Sequence, residues 1–365
     1  MEFTTTVNEL SSAVTSAASV TPTKSASLVA YTGVNFTVKA NKLLIAGSDG
    51  EVSVTIELPV TGAKNGTALV PPKQLIKWLS KAPKASLLTV SAAPSGKLKI
   101  ELEGSNSPYT FNTMVATFPG QSATLTADKE IDLTNLAAAL AATKDVAGEV
   151  TAGSGQTAIQ LAFSKGNLCV NATDHIRITR ASLPAANTED VSVVIETKAL
   201  EIVKNLKSTH VGFDKSYRTV VFSGENHKVT VRTLESQFAP VENILATSPP
   251  HKVRVLRSAL SDAVERLACV ADDSAPLVME FDGSFLKLSS GSSAVGTGVE
   301  EVELESSSPM PTTIAANIFY IQQAARTSPN EELTISWSSP LNPLFIHSTG
   351  VIDLTSVVMP IRLSE

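Results

Sequence analysis

The sequence predicts an α+β protein built from three copies of one repeat. The chain has 365 residues, more than a single hydrophobic core usually supports, so two or three domains are expected. Apolar residues make up 43% of the chain and charged residues 18%, a balance that is typical of globular proteins. One order of helix-like and strand-like segments recurs about every 120 residues, the size of an ordinary domain. We place the repeats at residues 1–123, 124–249 and 250–365.

Each repeat opens with a helix-like segment followed by a strand hairpin. Asn8, Thr134 and Ser258 are expected to be the N-caps of the three helices, because a short polar side chain can accept a hydrogen bond from a first-turn amide. The hairpins follow in "VNFTVKANKLLIAG", "IQLAFSKGNLCVNA" and "LVMEFDGSFLKLSS", where apolar and polar residues alternate around turns that contain Asn or Gly.

A second helix follows each hairpin, and another alternating strand pair closes the repeat. In "PKQLIKWLSKA", at about 100° per residue, the leucines fall on one face and Lys73, Lys77 and Lys81 on the opposite face. The equivalent helix "TKALEIVKNLK" also directs lysines away from its apolar face, and the helices of the third repeat carry arginines. A solvated helix face explains any one of these stripes alone, but recurrence in equivalent helices favours a role in binding.

The motif pattern indicates neither a catalytic site nor a metal site. The histidines show no HExxH or comparable ligand spacing, and "TAGSGQT" lacks the lysine of a phosphate-binding loop. Cys169 and Cys269 form no CxxC pattern, so neither a disulfide framework nor a thiolate metal site is indicated. The acidic pairs at 272–273 and 300–301 are typical of solvated surface. We therefore expect a protein that is not an enzyme and that uses no cofactor.

The sequence predicts a cytoplasmic protein without membrane contact. The opening "MEFTTTVNEL" has no basic stretch followed by an apolar segment, so a secretory signal is not expected. No run of about 18 apolar residues occurs, which excludes a membrane-spanning helix.

The chain closes with an apolar segment that contains a proline, "TSVVMPIRLSE". A strand that only completes a core would alternate with the period of the sheet and needs no proline, and this structural explanation stays open. Alternatively, Pro360 ends ladder pairing because it has no N–H to donate, and it thereby exposes Met359 and Ile361 for binding. Methionine suits a groove for varied ligands because its thioether side chain is flexible.

Several segments together resemble the bacterial sliding clamps, the beta subunits of DNA polymerase III. They are the threefold repeat, the opening "MEFTTTVNELSSAV", the helix "VPPKQLIKWL", the stretch "NATDHIRITRASLP" and the closing "VVMPIRL". The resemblance covers the whole chain and implies a head-to-tail homodimeric ring of six similar units, with helices lining the hole and antiparallel sheets outside. It also implies a non-catalytic processivity factor that encircles duplex DNA, in the cytoplasm at the nucleoid.

The ring architecture reconciles an acidic chain with a nucleic-acid partner. The net charge of -6 argues at first sight against DNA, because phosphate binding rests on basic surface. Basic residues on inner helices can nevertheless face the phosphates while an acidic outer wall discourages other DNA contacts. The candidates for sequence-independent contact with duplex DNA are Lys24, Lys73, Lys77, Lys81, Lys198, Arg257 and Arg266, with Lys24 taken from the resemblance alone.

The resemblance further implies a peptide-binding groove and a dimer interface. The groove would tether the DNA polymerase III alpha subunit, the clamp loader and other proteins that carry a clamp-binding motif. Its walls would come from Thr173, His175, Arg177, Ile178, Pro240, Ile244, Val358, Met359, Pro360, Ile361 and Arg362. The dimer interface would bring Tyr109 and Phe111 of one subunit against Cys269 and Val270 of the other.

The chain departs from the family pattern in three places. The stretch "SQFAPVENIL", which contains Pro240 and Ile244, stands where family members carry a phenylalanine-proline turn and basic residues. The family usually has a glycine between the aspartate and the histidine of its central motif, whereas His175 directly follows Asp174 here. The first helix carries no Lys or Arg, although the family commonly places basic residues in it. A clamp-like scaffold that binds only proteins is therefore the main alternative, with a hydrolase third. A salt series separates the scaffold from a DNA clamp, because phosphate contact weakens with salt.

Overall fold

The computed structural model describes most of the chain. The described residues are 1–22, 28–93, 96–105, 107–119, 130–133, 135–149, 157–186, 190–214, 216, 218–272, 275–292, 295–306 and 310–363. They divide into two compact bodies, the first with residues 1–134 and 201–233, and the second with residues 135–200 and 234–365. The middle sequence repeat is thus shared between the bodies, and the boundaries of the three repeats stay a prediction.

The first repeat begins with a strand and a helix and continues into two strand groups. Its elements are β1 (Glu2–Thr6), α1 (Val7–Ala18), a 3-10 helix (Val29–Thr32), β2 (Val34–Lys39), β3 (Lys42–Ser48), β4 (Val52–Pro59), β5 (Thr61–Lys64), β6 (Gly66–Val70), α2 (Pro72–Leu79), β7 (Leu87–Ala93), β8 (Lys97–Leu102) and β9 (Tyr109–Asn112).

The second repeat has the same order of elements, without a counterpart of β5 among its described residues. Its elements are β10 (Glu130–Asp132), α3 (Leu136–Lys144), β11 (Ala158–Ser164), β12 (Asn167–Thr173), β13 (Arg177–Pro184), β14 (Val191–Glu196), α4 (Lys198–Asn205), β15 (His210–Phe213), β16 (Thr219–Ser223) and β17 (His227–Arg232).

A short helix, α5 (Glu242–Leu245), precedes the third repeat, which again follows the same order. Its elements are β18 (His251–Leu256), α6 (Arg257–Ala268), β19 (Pro276–Asp282), β20 (Phe285–Ser292), β21 (Gly296–Glu303), β22 (Thr312–Asn317), α7 (Ile318–Thr327), β23 (Glu332–Trp337), β24 (Leu344–Ser348) and β25 (Asp353–Val358). No helix among the described residues has the length and apolar character needed to cross a membrane.

The strands of the described residues form four antiparallel sheets, two in each body. The first body contains the sheets β5-β1-β7-β8-β9 and β10-β15-β16-β17-β4-β3-β2-β6. The second body contains the sheets β14-β11-β12-β13-β25-β24-β23-β18 and β21-β20-β19-β22. The predicted α+β class with antiparallel sheets is therefore confirmed.

The first hairpin of each repeat turns at the residues that the sequence indicates. Ala40 and Asn41 both adopt left-handed backbone conformations, with φ of 50° and 60°, and Lys165 and Gly166 do the same at 51° and 77°. Two consecutive residues with positive φ match the right-handed twist of the flanking strands, which is why short polar residues and glycine are favoured there.

The helix starts differ from the predicted N-caps. Helix α1 is capped by Thr6, whose hydroxyl accepts from the Glu9 amide at 3.2 Å, while the Glu9 carboxylate accepts from the Thr6 amide at 3.1 Å. Hydrogen bonds from the Thr6 hydroxyl and amide, and then from Thr5, lower the pKa of Glu9. Asn8 is therefore wrong as the cap, because this reciprocal pair starts the helix earlier.

Helix α6 is capped from a distant part of the chain. It begins after Leu256, which has no capping side chain, and the Ser258 amide donates to the Glu331 carboxylate at 2.9 Å. Ser258 is therefore wrong as the N-cap, because Glu331, 73 residues further along, satisfies the first-turn amide. Thr134 lies outside the described residues.

Helix α1 packs directly on the sheet of the first body. Its buried face consists of Val7, Leu10, Ala13, Val14 and Ala17. The backbone approaches β3 so closely that a Cβ atom on Gly47 would lie 1.9 Å from the Ala17 carbonyl oxygen. Glycine is required there because any side chain would push the helix off the sheet.

The first body also buries a histidine. The ring of His227 is 6% exposed, and its Nε2 atom lies 2.7 Å from the Ser208 hydroxyl oxygen. Burial lowers the pKa of His227 below its ordinary value, because the charged ring is poorly solvated there.

The free energy of unfolding should therefore fall as the pH drops below about 6.5, the ordinary histidine value. Below that pH the unfolded chain binds a proton that the folded His227 resists, so protons favour unfolding, at no more than about 1.4 kcal/mol per pH unit for one site. Urea titrations of wild type and His227→Gln between pH 5 and 8 measure this dependence. A slope in the variant as steep as in wild type would contradict the assignment to His227.

Candidate functional site

Strand β25 ends at Val358, and the chain leaves the sheet of the second body just beyond it. Met359 donates to the Ile176 carbonyl at 3.1 Å, in the register of the β13–β25 pair, whereas Ile361 donates to the Ala315 carbonyl at 2.7 Å. Pro360 between them has no N–H to continue the ladder. The terminal segment is thus anchored on both sides while the Met359 side chain stays 42% exposed.

The turn between β12 and β13 is fixed by its own side chains. The Asp174 carboxylate accepts from the Ile176 and Arg177 amides at 3.1 and 2.9 Å, and the Thr173 hydroxyl donates to the Arg177 carbonyl at 2.8 Å. His175 has a φ of 71°, so it takes the left-handed conformation that glycine adopts most easily. The turn presents Ile176, 50% exposed, beside Met359.

A small apolar cluster forms the floor beneath these residues. It contains Ile178 from β13, Phe345 from β24, Val357 from β25 and Val241, all buried. Phe238, Ala239 and Leu245, from the segment around α5, pack on the same cluster. The segment therefore holds Pro240 and Ile244 next to the floor, where both side chains are exposed.

Arg177 is held in one orientation by four groups. Its Nε donates to the Asp174 carboxylate at 2.8 Å, and one Nη donates to the Asp145 carbonyl at 2.9 Å. The other Nη donates to the amide oxygen of Gln323, and the guanidinium lies 4.3 Å from the centre of the Tyr320 ring. This arrangement joins the end of β12–β13 to helix α7 through charge-assisted and cation–π contacts.

Tyr320 and Gln323 lie on one face of α7, one turn apart. The helix is capped by Asn317, whose side-chain oxygen accepts from the Phe319 and Tyr320 amides at 2.9 and 3.4 Å. A narrow cleft lies beside them, with a volume of about 10 Å³. The residues that line it are Val146, Arg177, Ile178, Thr179, Tyr320, Gln323, Ala324, Thr327, Ser356, Val357 and Val358.

The predicted groove residues gather at this end of the second body, but not all of them reach the surface. His175, Pro240, Ile244, Met359 and Arg362 are exposed, and Arg177, Pro360 and Ile361 are half-buried. Thr173, Ile178 and Val358 are buried and support the others from below. The sequence interpretation missed Ile176, Tyr320 and Gln323. The spacing of the last two along α7 places them on one helix face, but nothing in the sequence pairs that face with Arg177.

The lysines of the first body form an open basic stripe. Lys73 and Lys77 project from α2, Lys81 follows it, and all three are exposed, while Leu75 and Leu79 on the other face are fully buried. Proline at the start of α2 suits the first helical turn, where its missing N–H costs no hydrogen bond. None of the three lysines forms an ion pair with another described residue.

The predicted cations of α4 and α6 are paired with acids. Arg266 makes a two-pronged contact with Glu300 at 2.8 and 2.7 Å, which raises the pKa of Arg266 and lowers that of Glu300. Arg257 lies 2.9 Å from Glu331, whose pKa is lowered by hydrogen bonds from Ser258 and then by Arg257. Lys198 and Glu196 are 2.8 Å apart. Lys24 lies outside the described residues.

The predicted interface residues lie at two sheet edges, one in each body. In the first body, Trp78 of α2 packs against Tyr109 and Phe111 of β9, with ring centres 4.9 and 6.2 Å apart. In the second body, Cys269 and Val270 follow α6 and lie beside β21, where a Cβ atom on Gly298 would be 3.4 Å from Val270.

Comparison with known proteins agrees with this architecture. The family model described as "DNA polymerase III beta subunit, N-terminal domain" matches residues 1–119, and the model for the C-terminal domain matches residues 242–362. The "Beta sliding clamp" of Staphylococcus aureus is 22% identical over 353 residues, which cover 91% of each chain.

Solved structures show the same fold along the whole chain. The sliding clamp of Pseudomonas aeruginosa bound to griselimycin has a TM-score of 0.89 at 19% identity, with 100% of both chains covered. The Bacillus subtilis clamp has a TM-score of 0.88 at 16% identity, and the Helicobacter pylori beta clamp bound to a DNA ligase peptide has 0.86 at 17%, each with full coverage. The chain belongs to the family of the DNA polymerase III beta subunit, the beta sliding clamps.

Proposed function

We propose that two copies of this chain close a ring around duplex DNA and tether replication and repair proteins to it. As a member of its family the chain is an accessory, non-catalytic subunit of DNA polymerase III and a processivity factor. The proposed partners are sequence-independent duplex DNA, the polymerase III alpha subunit, the clamp loader and other proteins with a clamp-binding peptide. A cytoplasmic, nucleoid-associated location belongs to the same proposal.

The pattern of sheet edges carries the proposal. Each eight-stranded sheet joins strands of two successive repeats. In one sheet β17, the last strand of the second repeat, pairs with β4 of the first repeat. In the other, β25, the last strand of the third repeat, pairs with β13 of the second repeat. Two strands of these kinds remain: β9, which corresponds to β17 and β25, and β21, which corresponds to β4 and β13. Each lies at the end of its sheet among the described residues. A second copy can therefore supply the missing partner at both edges, in a head-to-tail contact that closes by rotation.

The repeats also give the register of this contact. Val229 of β17 stands opposite Val54, and Ser356 of β25 stands opposite Thr179. Transferred to the free edges, the same register would set Tyr109 of one copy opposite Gly298 of the other, with neighbouring Thr110 opposite Thr297. Glycine opposite Tyr109 leaves space for the aromatic ring next to Cys269 and Val270, which supports the interface expected from the resemblance.

A crosslinking experiment tests both the dimer and the encircled DNA. Thr110→Cys with Thr297→Cys, in a Cys269→Ser background, should be joined by a short bis-maleimide into a covalent dimer of twice the 38.3 kDa chain mass. Once assembled on nicked circular DNA and crosslinked, the ring should resist high salt and leave when the DNA is linearised. Either cysteine alone should give no such complex.

Two results would contradict the proposal. A protein that stays monomeric at micromolar concentration and does not crosslink would remove the ring. A crosslinked dimer that high salt strips from circular DNA would leave a scaffold that does not encircle duplex.

The groove of the second body is the proposed tethering site. The exposed apolar side chains of Ile176, Ile244 and Met359 surround a buried apolar floor, and Arg177 and Arg362 border them. Short peptides with apolar anchors suit such a surface, because a few buried side chains supply most of the affinity. The structure of the Helicobacter pylori beta clamp, bound to a DNA ligase peptide, provides a suitable peptide probe.

A further inference from the structure

We propose that Gln323 helps to hold the docked peptide in the groove by donating an amide hydrogen to one of the peptide's carbonyl oxygens. The inference rests on the proposed peptide-binding function and adds a residue that the sequence did not indicate. It follows from the orientation of one side chain and from the surroundings of one nitrogen atom.

Arg177 fixes the orientation of the Gln323 amide. A guanidinium group can only donate hydrogen bonds, so the Gln323 oxygen must face it and the amide nitrogen must point away. Arg177 itself cannot easily move, because Asp174, the Asp145 carbonyl and the Tyr320 ring hold its other sides. The direction of the Nε2 donor is therefore set before any ligand arrives.

The Nε2 atom of Gln323 is buried and has no hydrogen-bond partner among the described residues. Gln323 lines the cleft together with apolar residues such as Val146, Ala324 and Val358. The polar neighbours form other hydrogen bonds: the Thr327 hydroxyl donates to the Gln323 backbone carbonyl at 2.9 Å, the Thr179 and Ser356 hydroxyls lie 3.3 Å apart, and none of these oxygens accepts from Nε2. A buried donor without an acceptor is unfavourable, so an incoming acceptor can form a hydrogen bond that the free protein does not make.

The size of the cleft selects the kind of acceptor. Its volume of about 10 Å³ holds at most one water molecule. A carbonyl oxygen has nearly the size of that water and can replace it, whereas a phosphate group is larger. The apolar lining further favours an uncharged acceptor, because a charged group would lose its hydration there.

Two substitutions separate the loss of the Nε2 donor from the loss of the oxygen that accepts from Arg177. Gln323→Met removes both the donor and the acceptor for Arg177, while Gln323→Glu removes the donor and keeps an oxygen acceptor for Arg177. Gln322→Met is the matched control, since Gln322 is adjacent and does not line the cleft. Calorimetry with the ligase peptide should show roughly tenfold or greater loss of affinity in both Gln323 variants and none in the control.

Each outcome has a distinct meaning. Loss in Gln323→Met alone would assign the effect to Arg177 and overturn the proposal, as would unchanged binding in both variants. A crystal structure of the wild-type complex should place a peptide carbonyl oxygen within about 3.2 Å of Gln323 Nε2; a water kept at that atom would also overturn it. If wild type fails to bind the peptide at all, the proposed tethering function itself is wrong.

Discussion

Replacing Ile176 and Met359 together with alanine should weaken binding of the ligase peptide about 100-fold. The two side chains come from distant parts of the chain, and a hydrogen bond between their backbones holds them side by side and exposed. Truncating each anchor of a peptide-binding surface typically costs more than about 1 kcal/mol, and about 2.7 kcal/mol corresponds to 100-fold. Calorimetry or fluorescence anisotropy with the labelled peptide measures the change.

The same body offers a matched control. Leu341 and Val351 are 57% and 71% exposed and lie outside the groove residues, so Leu341→Ala with Val351→Ala removes similar apolar surface elsewhere. This control should bind the peptide as wild type does, and both double variants should keep the wild-type thermal unfolding transition. If the control loses affinity equally, or if Ile176→Ala with Met359→Ala binds normally, the groove is not the docking site.

Much of the fold can be predicted from the sequence because local residue patterns specify the elements of the repeat. Alternation around residues such as Asn41 and Gly166 marks the hairpins, and helical spacing marks α1, α2, α6 and α7. The helix starts were harder to predict, because Glu9 acts with a residue before the expected cap and Glu331 caps α6 from 73 residues away. A capping interaction across such a distance leaves no trace in the sequence next to the helix.

Some residues of the candidate site could likewise be predicted from the sequence, and others could not. Met359 and Pro360 stand out in the sequence because an apolar terminal strand with a proline is unusual. Tyr320 and Gln323 were missed because their role depends on contact with Arg177, which is 146 residues from Gln323. The direct succession of Asp174 and His175 proved compatible with a tight turn, because His175 itself adopts the left-handed backbone conformation.

The basic residues show the limit of counting charges along a helix. The sequence places Lys73 and Arg266 in one class, as cations on helices. The structure leaves the lysines of α2 open but pairs Arg266 with Glu300 and Arg257 with Glu331, acids that are 34 and 74 residues away. An arginine already held by a carboxylate must give up that contact to reach a phosphate, so these pairs offer less to DNA than α2 does.

Charge reversal at Lys73 and Lys77 should therefore abolish most of the binding to duplex DNA, whereas Arg257→Ala with Arg266→Ala should have little effect. Each phosphate contact contributes about 0.9 to the salt slope, so the four lysines of a dimer would account for up to about 3.6. Filter binding or surface plasmon resonance on circular DNA between 50 and 200 mM salt measures the slope of each variant. Lys42→Glu with Lys64→Glu is a matched control, because these exposed lysines are paired with Glu57 and Glu2 and lie away from α2.

The ion pairs lead to a second expectation, in the opposite direction: removing their acids should strengthen DNA binding. A change of net charge alone would not make this gain depend on Arg257 and Arg266. Glu300→Gln and Glu331→Gln each release one arginine without adding a positive residue, so the double variant should bind duplex DNA more tightly and with a steeper salt slope. The gain should disappear when Arg257 and Arg266 are replaced by alanine in the same chain, because the released cations are its source.

If the lysine reversal leaves DNA binding unchanged at low salt, the stripe on α2 is solvated surface. If the two arginine substitutions weaken binding as much as the lysine reversal, the ion pairs do not keep these arginines from the phosphates.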